Sequence, residues 1–223
     1  MNTSLANTAR LTGAALRALL ALTVLCGVLY PLAVTGLAQG LFPHQANGSE
    51  LRSDGRPVGS SLLGQRYDLP LTKGQDTPAP DLRWFQPRPS GGLAENTLNT
   101  QYKLQVSGAT NLAGDNPDLI KSIKETKATV LADNTVPGYT PKPSDVPADA
   151  VTSSASGLDP DISPAYATLQ IHRVAARNHL PVSQVTHLVT THTTPRTLGF
   201  LGEPRVNVLE LNVALAEAVK AKG

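Results

Sequence analysis

From Ala18 to Phe42 the chain reads ALLALTVLCGVLYPLAVTGLAQGLF, without one Asp, Glu, Lys or Arg. A helix needs about 20 apolar residues to cross a hydrocarbon core of about 30 Å, so this stretch can span a membrane and tilt. Its polar members, Thr23, Thr35 and Gln39, are small or lie near an end. Pro31 removes a backbone donor in mid-span and predicts a kink there. A neighbouring helix or a Thr side chain can re-satisfy the freed carbonyl. Tyr30 at that depth is expected to face a protein partner that takes its hydroxyl. A cleaved leader has a shorter apolar stretch than the one preceding Ala38-Gln39-Gly40. A lipid anchor needs a small residue before the cysteine, and Leu25 precedes Cys26. A buried helix of a soluble core rarely stays uncharged for this length. One membrane span is the reading.

Arg10 and Arg17 precede the span with no acidic residue among them, whereas Glu50, Arg52, Asp54 and Arg56 follow it as a balanced mix. Basic residues stay on the cytoplasmic side, so residues 1–17 are expected to be a short cytoplasmic N-terminus. Residues 18–42 form the transmembrane helix and 43–223 an exterior domain. Cys26, the one cysteine, lies within the span, which leaves that domain without disulfide or thiol chemistry.

The remaining stretch of about 180 residues is one domain in size. With three Phe, one Trp and five Tyr, its core must come from Leu, Val, Ile and Ala. Gly and Pro at 18 each point to many turns. A net charge of +2 without clustered Lys/Arg excludes a nucleic-acid partner.

Prolines at 57, 70, 78, 80, 87 and 89 make Leu51–Pro89 loop-rich, with a surface excursion at 71–80. Tyr102–Val106 alternates as a short strand. Asn116-Pro117-Asp118 is a helix start: a capping amide, a proline at the first position and a carboxylate at the positive end of the dipole. That helix is expected to bury Leu119, Ile120, Ile123 and Leu131 and to end near Asn134. Four prolines make Thr135–Pro147 a loop. Ser163-Pro164 starts a second helix running to about Asn178, which buries Leu169, Ile171 and Val174. Pro181 restarts the chain into a third, with Val185, Leu188, Val189 and His192 at i, i+3, i+4 and i+7. Val206–Leu211 reads as a strand and Leu211–Ala221 as a closing helix. The fold class is a single N-terminal transmembrane helix plus an α+β exterior domain with a small sheet and several short helices.

Motifs for catalysis are missing. There is no P-loop, no G-x-S-x-G elbow, and His44, His172, His179, His187 and His192 lack the i, i+4 spacing of a zinc pair. Ser156–Pro164 (SGLDPDISP) gathers Asp159, Asp161 and two serines before a helix. Capping and turn chemistry account for it, and two carboxylates are too few to argue for calcium. Arg173 and Arg177, one turn apart, are candidates to neutralise those aspartates or to meet a partner. Ser107–Asn116 (SGATNLAGDN) reads as a polar strand-to-helix turn, and Asn47-Gly48-Ser49 matches the short glycosylation pattern.

Five segments carry a resemblance: YPLAVTGLAQGLFPHQANGS at 30–49, WFQPRPS at 84–90, SGATNLAGDNPDL at 107–119, VTSSASGLDPDISPAYATLQIHRVAARN at 151–178 and LGFLGEPRVNVLELNVAL at 198–215. In this order they resemble the KdpC family, the C subunits of the Kdp high-affinity potassium-transporting P-type ATPase. The chain departs from the family pattern at SGATNLAGDNP, where SGGSNLGPSNP is commoner, at Trp84, where Tyr is frequent, and at 71–83, which looks like an insertion.

The resemblance implies a non-catalytic subunit that assembles and stabilises a potassium import complex. Its partners there are the potassium-translocating KdpA, the ATP-hydrolysing KdpB, the small single-span KdpF and the lipid bilayer. It implies no cofactor of its own, ATP being used by the complex, and a catalytic chaperone role that raises the ATP affinity of the hydrolysing subunit. With the domain outside, that effect must travel as coupling through the complex. The implied location is the bacterial inner membrane, single-pass. Tyr30, Pro31 and Thr35 are the partner-facing candidates on the span. A signal-anchored exterior module for a solute or peptide is the alternative from another class.

Overall fold

In the computed structural model the described residues are 2–70, 78–89, 93–95, 103–105 and 107–222. They divide into two units, residues 1–50 and 51–223.

The first unit is helical. Asn2–Val24 (α1) runs into a π-helical turn, Leu25–Leu29, and then into Tyr30–Leu41 (α2). Ser4–Leu41 is a 38-residue helix long and apolar enough to cross a membrane. At 1.5 Å per residue it measures about 57 Å, well beyond a hydrocarbon core of about 30 Å. The helix therefore begins far ahead of Ala18, within the stretch expected as a short cytoplasmic N-terminus. Pro31 leaves its mark in the turn before it: the Tyr30 N–H reaches back to the Leu25 carbonyl, five residues away. The proline ring crowds the carbonyl four residues earlier, and widening the preceding turn relieves that contact. Phe42 leaves helical geometry, and a short helix, Pro43–Ala46 (α3), follows. There the Gln39 and Asn47 side-chain amides bond each other reciprocally at 3.2 Å, and Asn47 also donates to the Pro43 carbonyl at 2.7 Å. With Ser49 only 5% exposed, the glycosylation pattern is folded into a helix end.

The second unit runs in order Glu50–Ser53 (β1), Arg56–Ser60 (β2), Leu93–Glu95 (β3), Lys103–Gln105 (β4), Pro117–Asp133 (α4), Asp161–Ile162 (β5), Pro164–Arg177 (α5), Val182–Thr191 (α6), Thr193–Thr194 (β6), Arg205–Asn207 (β7) and Val208–Lys220 (α7). β1 and β2 pair across Asp54-Gly55, both at positive φ (52° and 74°), the backbone of a tight hairpin turn. β3 and β4 pair antiparallel with Ala94 opposite Leu104. Tyr102 and Val106 of the expected strand lie outside the described residues, as do residues 71–77 of the expected excursion. The third sheet has order β5-β7-β6, both pairings antiparallel, with Ile162 and Thr193 each opposite Val206. The α+β class with small sheets and several short helices is what the domain shows.

Local chemistry explains the boundaries. The Asn116 side chain accepts from the N–H groups of Asp118 and Leu119, and Ser163 Oγ accepts from Tyr166 N–H. Both helices start where the capping residues put them. α5 buries Leu169, Ile171 and Val174 together against Val185 and Val189 of α6 and Leu211 and Leu215 of α7. Two expectations change. Val206–Leu211 is not one strand: Asn207 caps α7, its Oδ1 accepting from Glu210 N–H at 3.1 Å, so the helix begins at Val208. In α4 the inward stripe is Leu119, Ile123 and Val130, while Ile120 is 40% exposed, because the face turns about 100° per residue and 119, 123 and 130 share it.

Candidate functional site

Tyr30, Pro31 and Thr35 all lie on the apolar helix. Tyr30 opens α2 beside the π turn with two-thirds of its surface exposed, Pro31 follows it, and Thr35 stands four residues further on. No residue of α2 is buried. Gly36 and Gly40 flank the Thr35–Gln39 pair one position on, and a Cβ at either would meet nothing within 4 Å. Spacing of four residues places Gly36 and Gly40 on one stripe and Thr35 and Gln39 on the next. Small residues let a second helix backbone approach, and a hydroxyl in hydrocarbon gains most from a hydrogen-bonding neighbour.

In the domain, the segment Leu82–Gln86 threads between helices with its backbone bonded to side chains rather than to another strand. Asn212 of α7 accepts the Phe85 N–H and donates to the Phe85 carbonyl, each at 2.9 Å. Gln170 of α5 does the same for Gln86, at 2.7 and 3.1 Å. Arg173 donates to the Leu82 carbonyl (2.6 Å), the Trp84 carbonyl (3.0 Å), Asn134 (2.9 Å) and Gln170 (2.5 Å). Asn178 closes the set on the Arg83 carbonyl at 2.7 Å. Phe85, Gln170 and Arg173 are 0–1% exposed, and Asn212 is 2%. Buried polar groups persist only when bonded, so these amides and the guanidinium hold the strand in register. Burial pushes the Arg173 guanidinium down to about 10, which leaves it charged at neutral pH, and Asp133 opposes that shift at a distance.

Arg173 is thus a core residue, and neither it nor Arg177 neutralises the aspartates of the 156–164 loop. Arg88 pairs with Asp159 at 2.9 Å and Arg205 with Asp161 at 3.0 Å. Asp159 also accepts the Asp161 N–H, the turn that carries the chain into β5. Burial pushes the Asp161 carboxyl up, and Arg205 works against that rise. Ser163 donates to Asp149 through both its N–H and its hydroxyl, at 2.7 and 2.9 Å. The 107–115 turn is exposed along its length and tied to the loop by Gly108 N–H on the Ser156 carbonyl. The histidines are dispersed: His172 stacks on Tyr139 at 3.9 Å, His179 takes a positive φ after α5, and His192 reaches the Leu188 carbonyl. Among the described residues no group of three or more His, Cys, Asp or Glu is placed to hold a metal ion.

Sequence reasoning missed the clamp on Leu82–Gln86. The signal was there, since Gln170 and Asn212 interrupt apolar stripes on α5 and α7 where a polar residue must bring its own partner.

Comparison with known proteins agrees with the resemblance. The family model described as KdpC: K+-transporting ATPase, c chain, matches residues 12–217. A protein of Streptomyces coelicolor named potassium-transporting ATPase KdpC subunit is 66% identical over 219 residues, covering 98% of this chain and 97% of its own. The like-named protein of Streptomyces avermitilis is 67% identical over 219 residues, with 98% and 99% covered. That of Gemmatimonas aurantiaca is 47% identical over 195 residues, with 87% and 86% covered. The family match takes in most of the apolar helix, the clamped segment and the helices of the domain as far as residue 217, and the chain belongs to the KdpC family, the c chain of the K+-transporting ATPase.

Proposed function

We propose that the chain is the non-catalytic accessory subunit of an ATP-driven potassium import complex, joining KdpA, KdpB and KdpF and stabilising their assembly. The observation that carries this reading is a family match running through one apolar helix whose most apolar stretch is not buried among the described residues. Such a helix needs lipid or neighbouring helices on every face, and Tyr30, Pro31 and Thr35 supply the features a partner can read. The proline-linked π turn gives a bend or bulge that a straight helix cannot present, and Tyr30 and Thr35 offer hydroxyls just after it.

The N-terminus lies in the cytoplasm and the domain outside, as Arg10 and Arg17 direct. On this arrangement the subunit raises the ATP affinity of the hydrolysing subunit by binding one conformational state of the complex better than another, not by touching nucleotide. The test is expression of all four subunits with the tag on the ATP-hydrolysing one. Replacing Tyr30 and Pro31 together by alanine is expected to leave membrane insertion intact and to lower recovery of the four-chain complex. Unchanged recovery on a native gel refutes the docking role. A complex prepared without the chain is expected to show a raised KM for ATP, and an unchanged KM removes the coupling role. Topology is read separately, by thiol labelling of Asn7→Cys from inside and Ser53→Cys from outside in a Cys26→Ala background.

A further inference from the structure

A cleft of about 330 Å³ lies between α4, the start of α5 and the extended chain at 86–89. Thr126, Val130 and Asp133 line it from α4, where spacings of four and three residues set them on one face. Tyr166, in the first turn of α5, lines it from the other side and is 5% exposed. Its hydroxyl, the Thr126 hydroxyl and the Asp133 carboxylate make no hydrogen bond or ion pair among the described residues. The other charged side chains that line the cleft are paired: Arg66 with Asp68 at 3.0 Å and Arg88 with Asp159 at 2.9 Å.

Asp133 also closes the last turn of α4, where the helix dipole adds negative potential. Arg173 acts on this carboxylate only through its charge, since its N–H groups are spent elsewhere, so the Asp133 oxygens remain open to a cationic donor. Two hydroxyls and one carboxylate fall short of the six to eight oxygens that calcium takes, and the cleft has the volume of about ten water molecules. A primary ammonium has three N–H donors, one for each of the three groups. The rest of the lining, Val130, Ala150 and prolines 80, 87 and 89, suits an alkyl chain behind it.

We propose that this cleft binds a primary alkylammonium group, its ammonium on Asp133, Thr126 and Tyr166 and its chain against Val130 and Ala150. A free amine and a lysine side chain of a neighbouring subunit present this chemistry equally. The reading is independent of the accessory-subunit role and fails or stands by itself.

The test uses the full-length chain in phosphatidylcholine nanodiscs, with n-butylamine and neutral n-butanol as probes and the Val130 and Ala150 methyl resonances as readout. Butylamine is expected to shift both methyls saturably and to bind about tenfold or more tighter than butanol, the value of a charge-assisted hydrogen bond. Asp133→Asn is expected to remove that preference. Tyr166→Phe, which keeps the buried ring, is expected to weaken butylamine severalfold while the remaining spectrum is retained. Absence of a saturable shift, equal binding of the two probes, or full preference in Asp133→Asn overturns the proposal. The same titration on the assembled complex identifies the source. Methyls that no longer respond, with Asp133→Asn loosening the complex, mark a subunit's lysine; methyls that still respond mark a free amine.

Discussion

Replacing Asn212 tests whether side chains rather than a neighbouring strand hold the Leu82–Gln86 segment. Asn212 is 2% exposed and spends both polar atoms on Phe85, which is itself 0% exposed. Leucine of similar volume in its place fills the space and leaves one buried N–H and one buried carbonyl without partners. Each orphaned group costs about 1–3 kcal/mol, so Asn212→Leu should destabilise the domain by roughly 2–6 kcal/mol. In a domain of this size about 1 kcal/mol moves Tm by roughly 2–4 °C, which gives a drop of roughly 4–24 °C. Thermal unfolding of the purified chain, followed by circular dichroism, measures it.

Asn212→Asp sharpens the test. The carboxylate still accepts the Phe85 N–H but sets a negative oxygen against the Phe85 carbonyl, and protonation restores the donor. Burial raises such a carboxyl in the folded state above its unfolded value. The folded state then binds the extra proton, so stability of Asn212→Asp should recover as pH falls through the raised value toward the ordinary carboxylate range. Wild type should show no matching recovery at this site. A Tm change under about 2 °C for the leucine variant would mean that Phe85 finds other partners at little cost, and the clamp argument fails.

Three further outcomes are expected. Burial holds Asp133 above the ordinary carboxylate value, so the folded state binds its proton more readily than the unfolded one. The charged form thus costs stability, and the Tm of wild type should rise toward that of Asp133→Asn as pH falls from above the raised value to about 3.8; a gap that widens on acidification refutes the sign. Asn207→Ala removes the α7 cap and the bond to the Ser61 carbonyl, and should lower Tm by the equivalent of about 1–2 kcal/mol, measured in the same melt. Gly64→Ala would place a Cβ 2.6 Å from the Asp159 carbonyl oxygen, against a backbone contact that Gly64 N–H makes to Leu158 at 2.8 Å. It should cost about 1–3 kcal/mol and shift the resonances around Asp159 and Arg88; an unchanged melt shows that the loop yields.

Local signals were legible in the sequence, and long-range ones were not. Asn116-Pro117 and Ser163-Pro164 name helix starts because a capping side chain acts within three residues. The apolar stripe of α5 was readable because periodicity needs only the chain itself. Asn207 and Glu210 carry the pattern of a cap and its third helical residue, yet VNVLEL alternates so well that the strand reading wins until the cap is weighed against it. Asp54-Gly55 is a hairpin signal of the same local kind, obscured by the prolines around it. Gln86 meeting Gln170, Phe85 meeting Asn212 and Arg88 meeting Asp159 span from 71 to 127 residues, and no spacing rule reaches that far. Arg173 shows the consequence. Its charge and its place one turn from Arg177 argued for the surface, while the four acceptors that make burial tolerable come from Leu82, Trp84, Asn134 and Gln170, three of them 39 to 91 residues earlier in the sequence.

The proline-linked turn of the apolar helix and the clamp in the domain belong to one physical pattern. In each, a backbone irregularity is stabilised by something other than its own secondary structure. In the domain, side chains of α5 and α7 fulfil that need for Leu82–Gln86. In the span, Pro31 deprives the helix of a backbone donor, and no side chain of α2 is buried to replace it. Hydrocarbon cannot donate a hydrogen bond, so the group left over in the π turn has to be met from outside the chain or left at a cost of several kcal/mol. A proline that only interrupted an anchor would be a liability that leucine removes. Leucine at position 31 should therefore make the isolated helix more regular and the assembled complex weaker, and this opposition of signs separates a docking element from an anchor.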